Sequence, residues 1–288
     1  MIPGAFEYHR PASLAEAVAL LGRLDSDARL IAGGHSLIPM MKLRLAAPSH
    51  LVDLAGVAEL KGVRADGGDI VIGPMTTQHD IIGSGLIAEH VPILRETAEV
   101  IADPQVRYVG TIGGNVANGD PGNDMPALMI TLGATYVLSG PGGERRVPAR
   151  DYYLGLYETA ARPGEVLAAI RVPKPPAGHG FAYEKLKRKV GDYATAAAAV
   201  ILTVANGRVA TCAIGLTNVA PTALLANDAA AAVIGSALDK ATLARASAAA
   251  TAAASPAADG RGSAEYRARM AGVMTARALA RAFARARS

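Results

Sequence analysis

Two glycine pairs constrain this chain more than any other feature of its sequence. The first lies in residues 32–36 (Ala-Gly-Gly-His-Ser) and the second in residues 111–115 (Thr-Ile-Gly-Gly-Asn). We predict that each follows a strand, because an apolar segment precedes it (29–31 and 107–110). Adjacent glycines allow positive φ and expose backbone N–H groups that can bind an anion. Two such segments in one chain predict a dinucleotide site that holds a diphosphate from two sides.

Composition excludes several other classes of function. The 288 residues include one cysteine, Cys212, which excludes a disulfide framework and thiolate-ligated iron–sulfur clusters on this chain. A net charge of +4 and an aromatic content of 4% do not favour a nucleic-acid partner. The N-terminal residues lack the regions of a signal peptide, and no apolar stretch is long enough to span a membrane. We therefore expect a cytoplasmic protein.

Other nucleotide and metal motifs fit the sequence poorly. Asp53 lies twenty residues beyond Gly33, as a ribose-binding acid would, but the first glycine segment is not G-x-G-x-x-G. No P-loop pattern occurs. The six histidines are scattered without an i, i+4 pair, so we expect no metal site. His35 is either a donor to a phosphate or flavin oxygen or an exposed loop histidine.

The pattern of elements predicts an α+β fold in two parts. Residues 173–180, rich in proline and glycine, form a linker. Before it, helices and strands alternate in two lobes of about residues 1–56 and 57–177. After it, a β-meander with an Asn206-Gly207 turn precedes alanine-rich helices at 223–234, 238–251 and 265–285. The last of these, with its many arginines, is either a bundle helix or a helix on a membrane surface.

One further helix is predicted just after the second glycine segment. Pro126 fits the first turn of this helix and Gly133 its C-terminal end. Asp124 or Met125 is then expected at the N-cap.

The glycine segments, together with Asp124, resemble the FAD-binding subunit of the molybdenum hydroxylases, the xanthine dehydrogenase group. Residues 262–267 resemble the second domain of that family, and the resemblance covers essentially the whole chain. It implies a two-lobed FAD-binding (PCMH-type) domain at 1–177, followed at 178–288 by an antiparallel sheet with a helical bundle. Residues 101–105, 118–124 and 187–195 resemble the aerobic carbon monoxide dehydrogenase branch.

The resemblance also implies a function in electron transfer. A large subunit with a molybdenum cofactor oxidises the substrate, and a small subunit with two [2Fe–2S] clusters passes electrons to FAD on this chain. The expected acceptor is a quinone, and the expected assembly is a dimer of heterotrimers, cytoplasmic or at the inner face of the membrane. Two alternatives stay open: the flavin subunit of another molybdenum hydroxylase (for an N-heterocycle, an aldehyde or xanthine), and a flavin-free assembly scaffold.

The same resemblance assigns the site residues. It implies no catalytic residue and no metal ligand on this chain. Asp124 is expected to hydrogen-bond the polar part of the cofactor, and Leu167 and Lys185 to close over the flavin. Tyr193 is expected to stack on the isoalloxazine; the alternatives are a solvated strand position for Lys185 and a core position for Tyr193. The FAD diphosphate is expected to lie among Ala32, Gly33, Gly34, His35, Ser36, Thr111, Ile112, Gly113, Gly114 and Asn115.

Overall fold

The computed structural model describes residues 2–24 and 27–286. The strands are β1 (Glu7–His9), β2 (Ala28–Ile31), β3 (His50–Asp53), β4 (Val63–Asp66), β5 (Asp69–Ile72), β6 (Thr135–Gly140), β7 (Gly143–Pro148), β8 (Tyr153–Gly155), β9 (Glu158–Thr159), β10 (Val166–Pro173), β11 (Gly180–Leu186), β12 (Ala196–Ala205), β13 (Arg208–Thr217) and β14 (Leu224–Leu225). The helices are α1 (Leu14–Arg23), α2 (Leu37–Lys42), α3 (Gln78–Gly83), α4 (Gly85–His90), α5 (Pro92–Val100), α6 (Pro104–Val109), α7 (Ile112–Ala117), α8 (Asp124–Thr131), α9 (Asn227–Ala231), α10 (Lys240–Ala253) and α11 (Ala264–Arg285).

The first lobe is a small parallel sheet in the order β1-β3-β2, packed against α1. Ser13 caps α1 by accepting a hydrogen bond from the Glu16 N–H at 3.1 Å, as its position before an apolar run indicates. The buried Ala17 of this helix packs with Leu54 and Val57 in a small core that also includes Leu60, Met75 and Val166 of the second lobe. The first glycine segment follows β2 directly, so it lies at the C-terminal edge of the parallel sheet.

The second lobe is an antiparallel sheet in the order β4-β5-β10-β6-β7. Helices α3, α4, α5, α7 and α8 contribute to its core, whereas α6 packs on α3. Ile70 and Ile72 of β5, Tyr136 of β6 and Ile170 of β10 are fully buried in the core that the sheet shares with these helices. The expected alternation of helices and strands in this lobe includes β5 and β6, which form from the apolar runs at 69–73 and 134–138.

The expected strand before the second glycine segment is wrong. Residues Pro104–Val109 form α6 instead. Pro104 occupies the first helical turn, and the Asp103 side chain caps the helix by accepting a hydrogen bond from the Val106 N–H at 3.0 Å. This local start signal outweighs the strand propensity of Tyr108 and Val109, which are exposed.

Beyond residue 180, an antiparallel sheet runs in the order β11-β12-β13-β14. The predicted hairpin turn is confirmed, because Asn206 (φ 52°) and Gly207 (φ 71°) both have the positive φ that a tight two-residue turn requires. The predicted helix at 223–234 is shorter than expected. Its first residues instead form β14, where Leu224 and Leu225 pair with the edge of β13.

The alanines of β12 are explained by burial on both faces. Ala197 and Ala199 pack into the core of the second lobe, whereas Ala196 and Ala198 face the core beneath the C-terminal helices. A strand held between two layers favours small side chains, since larger ones would push the layers apart.

The C-terminal helix α11 packs on β11, β12 and α10. Ala271, Met274, Ala278 and Leu279 are buried in this contact. The apolar stripe therefore covers the sheet, as a bundle helix does, and is not left free for a lipid surface. Among the described residues, no helix is both long and apolar enough to cross a bilayer.

Candidate flavin site

The fold brings the two glycine segments into contact. A Cβ added to Gly33 would lie 2.5 Å from the carbonyl oxygen of Val109 and 2.8 Å from the Cα of Gly110, just before the second segment. A Cβ added to Gly114 would lie 3.6 Å from the Cβ of Ala32. The prediction that both segments face one site is consistent with this contact, and Gly33 has to be glycine for the backbones to approach this closely.

The first segment has the geometry of an anion-binding nest. Gly34 has a φ of +71°, which turns the chain ahead of α2. Across residues 2–24 and 27–286, the N–H groups of Gly33, Gly34, His35 and Ser36 donate to no acceptor of the protein. Consecutive free N–H groups in a turn bind phosphate oxygens well. The imidazole of His35 is exposed beside them.

The second segment is different, and the expectation of a second nest is wrong. Its glycines lie inside α7 and neither has positive φ. The N–H of Gly113 donates to the carbonyl of Pro74 at 2.8 Å, and the N–H of Gly114 donates to Oγ1 of Thr111 at 3.0 Å. A Cβ on Gly113 would overlap Pro74. These glycines therefore allow close packing, while the buried Ile112 anchors the helix in the core.

Asn115 connects α7 to the start of α8. Its Oδ1 accepts a hydrogen bond from the N–H of Met125 at 3.1 Å, and its carbonyl accepts one from Nδ2 of Asn123 at 2.8 Å. Asn123 occupies the N-cap position of α8, so the expected cap at Asp124 or Met125 is wrong by one residue. Asp124 is instead the first helical residue, where its negative charge is favourable.

A buried ion pair lies behind this helix start. Asp124 and Lys185 meet at 2.7 Å, with 6% and 3% of their side chains exposed. The other carboxylate oxygen accepts a hydrogen bond from the hydroxyl of Tyr183 at 2.6 Å. The alternative of a solvated Lys185 is therefore wrong. Both carboxylate oxygens already have a partner from β11, and each keeps one further lone pair for a ligand.

Tyr183 is a candidate site residue that the sequence reasoning missed. Burial and the neighbouring Asp124 carboxylate raise the pKa of its phenol well above the ordinary value, so it stays a neutral donor. Tyr183 and Lys185 are alternate residues of β11, and alternate residues share one face of a strand. That two-residue spacing was the available signal.

Tyr193 lies at the edge of the same region. Its side chain is 40% exposed, so the core alternative is wrong. The ring packs on Gly122, and the guanidinium of Arg261 lies 5.5 Å from the ring centroid. Burial of the phenol, followed by the charge of Asp120, raises its pKa to about 12. The expected stacking on a flavin stays a prediction.

Two other candidate residues, Leu167 and Asp53, have roles within the fold itself. Leu167 is 8% exposed and belongs to the core of the second lobe, at the point where β10 changes register against β6. Asp53 accepts hydrogen bonds from the Tyr8 hydroxyl at 2.5 Å and from the Ala55 N–H at 2.8 Å. Asp53 therefore caps the turn after β3. This local role explains the residue without a ribose-binding function.

The residues present fit an FAD diphosphate. The four free N–H groups of residues 33–36 would donate hydrogen bonds to its phosphate oxygens. The start of α7 adjoins them, since a Cβ on Gly114 would lie 3.6 Å from the Cβ of Ala32. The buried Asp124–Lys185 pair supplies a polar wall nearby, through the contact of α7 with α8.

Comparison with known proteins agrees with this geometry. The sequence profile described as the FAD binding domain in molybdopterin dehydrogenase matches residues 4–175, and that of the CO dehydrogenase flavoprotein C-terminal domain matches residues 181–282. The carbon monoxide dehydrogenase medium chain of Afipia carboxidovorans is 64% identical over 288 residues, which is all of both chains. That of Hydrogenophaga pseudoflava is 52% identical and covers 99% of both.

A solved structure shows the same fold. A chain of the Cu,Mo-CO dehydrogenase in its cyanide-inactivated form superimposes with a TM-score of 0.98 at 64% identity, over 99% of this chain and 100% of that chain. The first profile alone covers more than half of the 288 residues. The chain therefore belongs to the family of molybdopterin dehydrogenase flavoproteins, whose FAD-binding domain it carries ahead of a CO dehydrogenase flavoprotein C-terminal domain.

Proposed function

We propose that this chain is the FAD-carrying electron-transfer subunit of a molybdenum-containing carbon monoxide dehydrogenase. The observation that carries the proposal is 64% identity, along the entire length of both chains, to a carbon monoxide dehydrogenase medium chain. The contact between the two glycine segments and the free N–H groups of residues 33–36 support the cofactor part of it.

Each part of the site has a proposed role. The N–H groups of Gly33 to Ser36 hold the diphosphate, and the hydroxyl of Thr111 and the amide of Asn115 line its other side. Asp124 fixes Lys185 and Tyr183 and offers its remaining lone pairs to the cofactor. Bound FAD supplies the ability to accept electrons and pass them on.

The flavin ring is proposed to lie toward the C-terminal half of the chain. Lys185 places a buried positive charge near it, Tyr193 packs against it, and Leu167 supplies an apolar wall from the core. A nearby cation favours the reduced, anionic form of a flavin and raises its potential, and the paired Asp124 carboxylate offsets part of this effect of Lys185.

The partners follow from the resemblance and from what this chain lacks. With Cys212 as its one cysteine, it has no ligand set for an iron–sulfur cluster. We propose that a large subunit carries the molybdenum cofactor and a small subunit carries the [2Fe–2S] clusters. A dimer of heterotrimers, a quinone acceptor and a cytoplasmic location, at or near the inner membrane face, complete the proposal. The division into domains at residues 177 and 178 is part of it.

The test is anaerobic addition of carbon monoxide to the assembled complex while the visible absorbance of the flavin is recorded. We expect the flavin to be reduced by carbon monoxide, and the isolated chain with FAD to stay oxidised because it lacks the other centres. A complex that oxidises carbon monoxide with an artificial acceptor while its flavin stays oxidised would contradict the proposal. Reduction by quinoline, xanthine or an aldehyde, but not by carbon monoxide, would favour another molybdenum hydroxylase.

A further inference from the structure

A second group of ligand-type side chains lies on the small parallel sheet, away from the flavin site. Glu7 and His9 are alternate residues of β1, so their side chains leave the same face of the strand. β1 pairs in parallel with β3, and the register sets Glu7 opposite His50. His9 and His50 meet here although the sequence has no histidine pair at i, i+4. Strand pairing brings together two residues that are 41 positions apart, a spacing without a sequence signature.

The three ligand atoms form a compact triangle. Nε2 of His9 lies 3.2 Å from Nδ1 of His50, and Oε2 of Glu7 lies 3.5 Å from the His50 nitrogen and 3.9 Å from the His9 nitrogen. The point equidistant from the three atoms is about 2.1 Å from each, and Zn²⁺ bonds to imidazole nitrogen and carboxylate oxygen measure about 2.0–2.2 Å. Two ligands of a tetrahedral Zn²⁺ are then about 3.4 Å apart.

Direct hydrogen bonding explains this triangle less well. The two carboxylate distances are at or beyond the limit of a hydrogen bond, yet the carboxylate still points at both ring nitrogens. Only the contact between the two imidazoles is short enough, so without a metal Glu7 can make only longer ion pairs, and these require protonated rings. The three atoms also surround one point, as the ligands of a metal ion do.

We propose that Glu7, His9 and His50 bind one Zn²⁺ ion. Two imidazoles and a carboxylate are a ligand set that zinc sites use, and the fourth position is left for water or a group from another chain. The side chains of His9 and His50 are 23% and 19% exposed, whereas that of Glu7 is 73% exposed, so the open position faces solvent.

The site is expected to be structural and of moderate affinity. Within the described residues, the second ring nitrogens of His9 and His50 have no protein hydrogen bond, and such outer partners are typically worth about 10- to 100-fold in affinity. The ion would join β1, a three-residue edge strand, to the central strand β3. The cluster includes the first residues of β1 and β3, whereas the first glycine segment follows the last residue of β2. Flavin binding and zinc binding are therefore expected to be independent.

The test uses the untagged full chain, treated with a chelator and then titrated with Zn²⁺ by calorimetry, with metal content and melting temperature measured in parallel. We expect one Zn²⁺ per chain and a higher melting temperature, because a ligand bound only by the folded state stabilises it. With Co²⁺ in place of Zn²⁺, a visible absorption band of imidazole-ligated cobalt is expected.

Substitutions at the cluster then separate the site from general metal binding. His9→Gln and His50→Gln are expected to weaken Zn²⁺ binding by more than about tenfold while FAD content is unchanged. Glu7→Gln, at an exposed position where folding is not at risk, is expected to weaken it too. His90→Gln is the matched control, since His90 lies 3.7 Å from Glu89 but has no second histidine. Absence of Zn²⁺ binding by the folded wild type, or equal binding by all four variants, would overturn the proposal.

Discussion

At the scale of single residues, the proposed site includes an ion pair, Asp124 with Lys185, and a neutral hydrogen-bond donor, Tyr183. Asp124 lies between Lys185 and Tyr183, and each of the three is almost completely buried. A charge buried this deeply is tolerated only when it is paired and hydrogen-bonded. The pair fixes the start of α8 against β11 and so connects the two halves of the chain beside the flavin site.

Removing one member of this ion pair is expected to be costly. Asp124→Ala leaves the Lys185 ammonium buried without a partner, which should lower the free energy of unfolding by about 3–5 kcal/mol. Urea denaturation measures this. Asp151→Ala is the control, because Asp151 is 59% exposed in its contact with Arg150 and should change stability by about 0–1 kcal/mol. A loss as small as that of the control would show that Lys185 reaches water when its partner is removed.

Gly33 is expected to be required for flavin binding. In Gly33→Ala the new Cβ would lie 2.5 Å from the Val109 carbonyl, so the two glycine segments must separate and the nest loses its shape. The FAD-to-protein ratio, measured by absorbance after gel filtration, should fall severalfold. Gly142→Ala should keep its flavin, because a Cβ there meets nothing within 4 Å. Full flavin content in Gly33→Ala would show that FAD binding does not need the close contact between the two glycine segments.

Tyr193 is expected to tune the flavin without holding it. Aromatic packing contributes about 1 kcal/mol, and about 30 mV corresponds to 1.4 kcal/mol for a two-electron couple. Tyr193→Ala should thus shift the FAD midpoint potential by about 20 mV and alter the visible band. The comparison is Tyr266→Ala, an exposed tyrosine on α11. A potential equal to that of the wild type would place Tyr193 outside contact with the ring.

At the scale of elements, the sequence predicted the strands and helices that have local signals. Ser13, the Asn206-Gly207 turn and Gly133 each mark an end correctly. The prediction of a strand before the second glycine segment failed because the helix-start signal of Asp103 and Pro104 was overlooked. Sequence reasoning also failed where pairing between distant segments decides the outcome, as for β14. The two glycine segments look alike in the sequence but differ in structure: the first is a nest and the second lies inside a packed helix. The sequence does not show which N–H groups are already hydrogen-bonded.

Helix α5 is expected to hold α11 through Glu96. This carboxylate accepts hydrogen bonds from Arg285 at 2.7 Å and from the backbone N–H of Tyr183 at 2.7 Å. Glu96→Gln should lower the free energy of unfolding by about 1.5–3 kcal/mol, the range for hydrogen bonds to charged groups, measured by urea denaturation. Glu99→Gln on the same helix should cost less than about 1 kcal/mol, because the Arg95–Glu99 pair is half exposed. Equal losses in the two variants would show that Glu96 does not hold α11 in place.

At the scale of the whole molecule, one core continues across residues 173–180. Tyr183, Ala197 and Ala199 of the C-terminal sheet pack into the core of the second lobe, together with Ile70 and Tyr136. The linker in the sequence therefore marks a change of sheet, not a gap between independent cores. The resemblance of the sequence to a flavoprotein family identified the fold class, whereas the Asp124–Lys185 pair and the histidine pair required the tertiary structure.

The central claim is that this chain binds FAD between its two glycine segments, and the most direct measurement is the FAD-to-protein ratio of the purified full chain after incubation with excess FAD. The account predicts one FAD per chain, retained through gel filtration by the wild type and lost in Gly33→Ala. A wild-type chain that unfolds cooperatively, and is therefore folded, yet leaves gel filtration without FAD would contradict it.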